Sequence, residues 1–117
     1  MQIEVKGRQM PITDELRDHV NRRFAKIARQ VSDLARLEVE LSLERNPAIA
    51  DRHVAQATLH LKGATLRACD ASRDMVHSIN LCADELARQV KRDRDKRRRR
   101  RAPRSAEVPG GISPQAT

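Results

Sequence analysis

Apolar residues in this chain recur at two spacings, and the switches between them mark its elements. Residues 1–9, MQIEVKGRQ, alternate: Ile3, Val5 and Gly7 fall on one side, Gln2, Glu4, Lys6 and Arg8 on the other, as in a strand with one buried face. Pro11 interrupts the pattern. Thr13 stands where a helix cap belongs, followed by Asp14 and Glu15, carboxylates that the positive end of a helix dipole favours. Leu16, Val20, Phe24, Ile27, Ala28 and Val31 then recur at steps of four and three, which gathers them on one side of a helix of about five turns. Arg22, Lys26 and Arg29 repeat at the same steps on the opposite side, so the exposed face carries a basic stripe.

Alternation returns in residues 36–44, RLEVELSLE, where Leu37, Val39, Leu41 and Leu43 are expected to face inward. Arg36, Glu38, Glu40, Ser42 and Glu44 then face outward, an acidic side. Turn residues from Asn46-Pro47 to position 52 lead into residues 53–61, where Ala55, Ala57, Leu59 and Leu61 alternate with Gln56, Thr58 and His60. Lys62-Gly63 predicts a tight hairpin, and ATLRACDA, residues 64–71, a further strand with Ala64, Leu66 and Ala68 on one face. A second helix is expected to open near Ser72 as N-cap, with Asp74 in its first turn. Met75, Ile79, Cys82, Leu86 and Val90 form its buried stripe. Arg73, His77, Arg88 and Lys91 lie on its far side with Arg92 at the margin, diluted by Asp84 and Asp95. No apolar residue follows Asp95 in the arginine run, where like charges repel, so the helix is expected to fray from Arg97. The Pro-, Gly- and Ser-rich residues 102–117 are expected to be disordered.

The order β-α-β-β-β-α predicts an α+β, two-layer sandwich: a four-stranded sheet with both helices packed on one face. Residues 1–96 form the folded domain and residues 97–117 a basic tail. Both basic stripes then point away from the sheet on one side, with Glu38, Glu40 and Glu44 behind it, a polarised body suited to docking on phosphate.

Charge supports this once it is divided. The net charge is +8, but residues 96–117 hold seven basic residues against one acidic, leaving only +2 for the rest. Segregation of charge therefore matters more than its total. Phe24 is the only aromatic and falls on a buried stripe, so base stacking of the kind used by single-strand readers has no platform. Basic helices without such rings favour recognition of backbone and shape in folded RNA. Cys69 and Cys82 suit neither a disulfide framework nor a zinc site and are expected as buried or half-buried thiols. The four histidines lack ligand spacing, and no nucleophile-base set, carboxylate pair or phosphate loop is evident. No metal, cofactor, small-molecule substrate or enzymatic activity is expected. No apolar run reaches membrane-spanning length and residues 1–7 lack a signal-peptide pattern, so a cytoplasmic monomer without membrane contact is the expectation.

Four segments, MQIEVKGRQMPITDELRDHV, RRFAKI, ATLHLKG and RDMVHSINLCADELARQVKRDRDK, together resemble the ribosome hibernation-promoting factor and ribosome-associated inhibitor family, once called sigma modulation proteins. The similarity runs from Met1 to Lys96. It implies a fold shaped like double-stranded RNA-binding domains and a place on the small ribosomal subunit, against 16S rRNA where transfer RNA and message sit, so that an idle ribosome does not initiate. Carried over by position, the RNA-facing residues are Arg22, Arg23, Lys26 and Arg29 on the first helix and Arg88, Lys91 and Arg92 on the second. The family usually has Tyr and Asp where this chain has Val76 and Asn80. Long members append a ribosome-pairing domain, which a chain with 16 residues after Arg101 is expected to lack.

Two other classes fit parts of the pattern. A general RNA- or nucleoid-binding protein would act through the run at 97–101, and truncation after Lys96 would abolish its binding. A protein-interaction module would instead use Glu38 and Glu40 on the open sheet face.

Overall fold

The computed structural model describes residues 1–101, and its elements follow the expected order: β1 (Gln2–Arg8), α1 (Asp14–Ala28), β2 (Arg36–Leu43), β3 (His53–Leu61), β4 (Ala64–Ser72) and α2 (Met75–Arg101). The tail expected over residues 102–117 lies outside the described residues. The strands lie in the order β1-β2-β3-β4. β1 and β2 are parallel, because α1 carries the chain back between them, while β2, β3 and β4 form an antiparallel meander.

Register explains the core. Val5, Val39, Ala57 and Ala68 form one row across the sheet, and Ile3, Leu37, Leu59 and Leu66 the next. Both helices cover this face. Val20, Phe24 and Ile27 of α1 are buried, as are Met75, Ile79, Cys82, Leu86 and Val90 of α2, which packs on β3 and β4. Alanines at 55, 57 and 68 leave room for the helix side chains above them. Phe24 is fully buried and, as the largest of these side chains, contributes about 1.5–3 kcal/mol by transfer from water alone.

Local chemistry fixes the ends of the elements. Thr13 caps α1 as expected, its Oγ1 accepting from Leu16 N at 3.2 Å. Gly63 takes φ +79° in the two-residue connection from β3 to β4, a left-handed conformation that glycine adopts without strain. At Gly7 a Cβ would sit 2.1 Å from the Met10 carbonyl oxygen, so the chain folds back over the strand only because no side chain is there. Among the described residues no helix is long and apolar enough to cross a membrane.

Five expectations are corrected. Asp74, rather than Ser72, caps α2: its Oδ2 accepts from His77 N at 3.1 Å, while Ser72 ends β4 with its Oγ 2.7 Å from the buried Ser78 hydroxyl. α1 ends at Ala28, about one turn early, and Val31 packs half-buried on the core from the following loop. Leu43, expected inward, is exposed at the last position of β2. Cys69 is exposed on the open side of β4, and only Cys82 is buried, its thiol pushed up to about 12 chiefly by burial. α2 does not fray at Arg97 but continues to Arg101. The reason is polar: Arg97 Nε lies 3.0 Å from Asp93 Oδ2 one turn back, and its Nη2 donates to the Lys62 carbonyl at 2.8 Å, pinning the helix to the β3-β4 hairpin.

Candidate nucleic-acid interface

Two hydrogen bonds set the relative direction of the helices. His19 Nε2 donates to Asn80 Oδ1 at 2.8 Å, and Arg23 Nη2 donates to Asp84 Oδ1 at 3.0 Å. Both join residues 61 apart, so a turn forward on α1 is a turn forward on α2: the helices run parallel. One more turn at the same offset sets Lys26 level with Ala87, and the next sets Gln30 level with Lys91. Arg22, Lys26 and Arg29 are exposed opposite the buried stripe of α1, and Arg88, Lys91 and Arg92 opposite that of α2. Cations separated by more than sixty positions in the chain are thus carried on two adjacent, parallel helices.

Arg23 differs from the rest. It lies half-buried in the seam between the helices, bound to Asp84. Its role in the seam was not legible in the α1 stripe, which passes through Arg22, Lys26 and Arg29. Asn80 supplies the other seam contact through His19. Val76 is 40 % exposed at the start of α2.

Glu85 organises the outer side of α2. It accepts from Arg88 Nη2 at 2.8 Å and Gln89 Nε2 at 3.2 Å, and lies 3.6 Å from Arg92. The Arg88 hydrogen bond, then that of Gln89, holds the Glu85 carboxyl below its usual range, and the same bond raises Arg88. Three of the seven expected residues, Arg23, Arg88 and Arg92, are therefore engaged with carboxylates. Among the described residues Arg22, Lys26, Arg29 and Lys91 enter no ion pair, and their side chains make no hydrogen bond within the chain. Four cations face solvent with their charge unspent. Glu85 and Asp93 were missed in the sequence, although their signals, Glu85 three residues before Arg88 and Asp93 four before Arg97, were present.

The open sheet face corrects the picture of an acidic back. Glu38 is surrounded by His60 Nε2 at 2.7 Å, Lys6 Nζ at 3.8 Å and Arg36 Nη2 at 4.0 Å. Its carboxyl is held below the usual range, first by the His60 hydrogen bond. The register places Lys6, Arg8, Arg36 and Arg67 on the same face as Glu4, Glu38 and Glu40. That face is mixed in sign because β1 and β4 bring cations beside the glutamates of β2.

A two-layer α+β domain with parallel basic helices is now defined, and its kinship is clear. The chain belongs to the family described as Sigma 54 modulation protein / S30EA ribosomal protein, whose family model matches residues 3–98. It is 33% identical over 96 residues to the ribosome hibernation promoting factor of Salmonella typhimurium, covering 82% of this chain and 96% of that one. To the factor of the same name from Azotobacter vinelandii it is 31% identical over 110 residues, covering 93% and 98%. It is 29% identical over 97 residues to the ribosome hibernation promotion factor of Picosynechococcus, of which it spans half the length. The N-terminal domain of Thermus thermophilus Protein Y superposes with a TM-score of 0.68 at 30% identity, covering 79% of this chain and 98% of that one. A ribosomal subunit interface protein from Coxiella burnetii shares the fold, with a TM-score of 0.69 at 18% identity over 81% and 99% of the two chains.

Proposed function

We propose that this protein is a ribosome hibernation factor of the cytoplasm that binds the small ribosomal subunit and, without catalysis, keeps an idle ribosome from initiating. Its ligand is structured 16S rRNA around the transfer RNA and message sites. Arg22, Lys26, Arg29 and Lys91 grip phosphate directly, and Arg88 and Arg92 do so from positions pre-set by Glu85. Arg23 holds the seam and so the spacing of the two rows. The observation that supports this most is that two adjacent, parallel helices carry cations without ion-pair partners among the described residues, in a chain whose relatives carry the name of hibernation factors.

Sedimentation of the protein with small subunits, intact ribosomes and protein-free RNA over a salt series tests the proposal. If about six phosphates are held, affinity falls on the order of a thousandfold between 50 and 200 mM salt. Small subunits and ribosomes should retain the protein at salt concentrations that strip it from free RNA. Equal retention by all three would overturn the hibernation role in favour of general RNA binding. Truncation after Lys96 separates the two further: it should weaken ribosome binding, whereas a protein driven by the arginine run would lose binding altogether.

A further inference from the structure

The two edges of the sheet are finished differently. On β4 the Arg67 carbonyl accepts from Gln89 Nε2 at 2.6 Å, so α2 holds a side chain over that edge. No described residue does the same for β1. Gln2 N donates to Ala35 O at 3.0 Å, which sets the phase of the parallel ladder. Gln2, Glu4, Lys6 and Arg8 therefore bond to β2, and the amides and carbonyls of Ile3, Val5 and Gly7 point outward. A seven-residue edge with outward peptide groups, and without proline or bulge, is a template for another strand.

We propose that β1 pairs antiparallel with β1 of a second copy of this chain about a two-fold axis at Val5. In that register Val5 meets its counterpart, Ile3 lies opposite Gly7, Glu4 opposite Lys6, and Gln2 opposite Arg8, each twice. The outward groups of Ile3, Val5 and Gly7 then form the hydrogen-bonded pairs of an antiparallel ladder. Glu4 and Lys6, both exposed, fall in the non-hydrogen-bonded pairs, where side chains approach most closely. Neighbouring registers of the same phase are poorer. Centring on Glu4 or on Lys6 sets that residue against its own copy, like charge on like, centring on Gly7 sets Lys6 against Arg8, and centring on Ile3 leaves Lys6 and Arg8 without partners in the strand. Charge order along β1 thus selects both the partner and the register. The axis stands normal to the sheet, so the four helices of the pair lie on one side and both basic surfaces face the same way. The monomer expected from the sequence becomes the dilute form, and the pairing stands whether or not RNA is the ligand.

Sedimentation equilibrium of the full chain from about 1 to about 500 μM, a range that spans weak, small interfaces, should show mass rising from monomer to dimer. Glu4→Lys and Lys6→Glu each place like charges opposite one another twice and should weaken association about tenfold. An equimolar mixture of the two variants restores opposite charges across the axis and should recover it, as should the double variant Glu4→Lys/Lys6→Glu. Thermal melts confirm that each variant is folded. In a Glu4→Cys/Lys6→Cys variant that also carries Cys69→Ser to remove the exposed native thiol, mild oxidation should yield a covalent dimer, because cross-strand pairs of this type stand at disulfide distance. A monomer mass at every concentration overturns the proposal, and so does a dimer indifferent to both single charge reversals.

Discussion

The outer face of the helices and the open face of the sheet both carry cations and carboxylates yet differ in how those charges are placed. On the sheet, Glu38 gathers Lys6, Arg36 and His60 from β1, β2 and β3, and the remaining cations and carboxylates alternate between neighbouring strands. On the helices, carboxylates engage Arg23, Arg88 and Arg92 but leave Arg22, Lys26, Arg29 and Lys91 free. Charges of both signs interleaved across neighbouring strands offset one another's field nearby, whereas unpaired cations grouped on adjacent helices project theirs outward. How charge is mixed separates the two faces more than how many cations each holds.

The largest way to break the comparison is to remove the scaffold both faces share. Phe24→Ala should cost about 3–5 kcal/mol, seen as a lowered melting temperature, with ribosome binding lost as the population unfolds. Reversing only the free cations is more selective: Lys26→Glu with Lys91→Glu should lower small-subunit affinity on the order of a hundredfold at moderate salt while leaving the melt intact. Glu38→Gln with Glu40→Gln, the matched change on the sheet, should leave affinity within about twofold, since those carboxylates lie on the sheet face opposite the helices. Glu85→Gln sharpens the contrast in the other direction. It frees Arg88 and Arg92, and affinity should rise about threefold with a steeper salt dependence.

The smallest effect concerns acid. The Glu38 carboxyl is held below its usual range, so it contributes stability above the ordinary carboxylate range and loses that contribution as pH falls through its folded-state value. The melting temperature of Glu38→Gln should therefore fall less steeply on acidification than that of the parent.

Elements were legible because each has a clean period: Leu37, Val39 and Leu41 alternate, and Met75, Ile79, Cys82, Leu86 and Val90 step along one side of a helix, and all of these are buried. The free cations of the site were legible for the same reason, since a residue opposite a buried stripe is exposed. Pairing was not. The neighbours of Glu38 come from three strands, and Arg23 meets Asp84 across a seam set by tertiary packing, so neither follows from local spacing. The continuation of α2 was misjudged because apolar anchors alone were considered, when a guanidinium on the Lys62 carbonyl also holds a helix down. Leu43 shows the limit of alternation: it has the right phase but stands at the end of its strand.

The parallel setting of α1 and α2 has one more effect. Both helices begin in carboxylates, Asp14, Glu15 and Asp18 on one and Asp74 on the other, and both close among lysine and arginine. Two parallel dipoles lying side by side repel, like pole beside like pole, and this ordering of side chains offsets them at both poles. In the proposed docking it also gives the surface a direction: a phosphate chain laid along the helices would pass from their carboxylate-bearing ends to their lysine- and arginine-bearing ends.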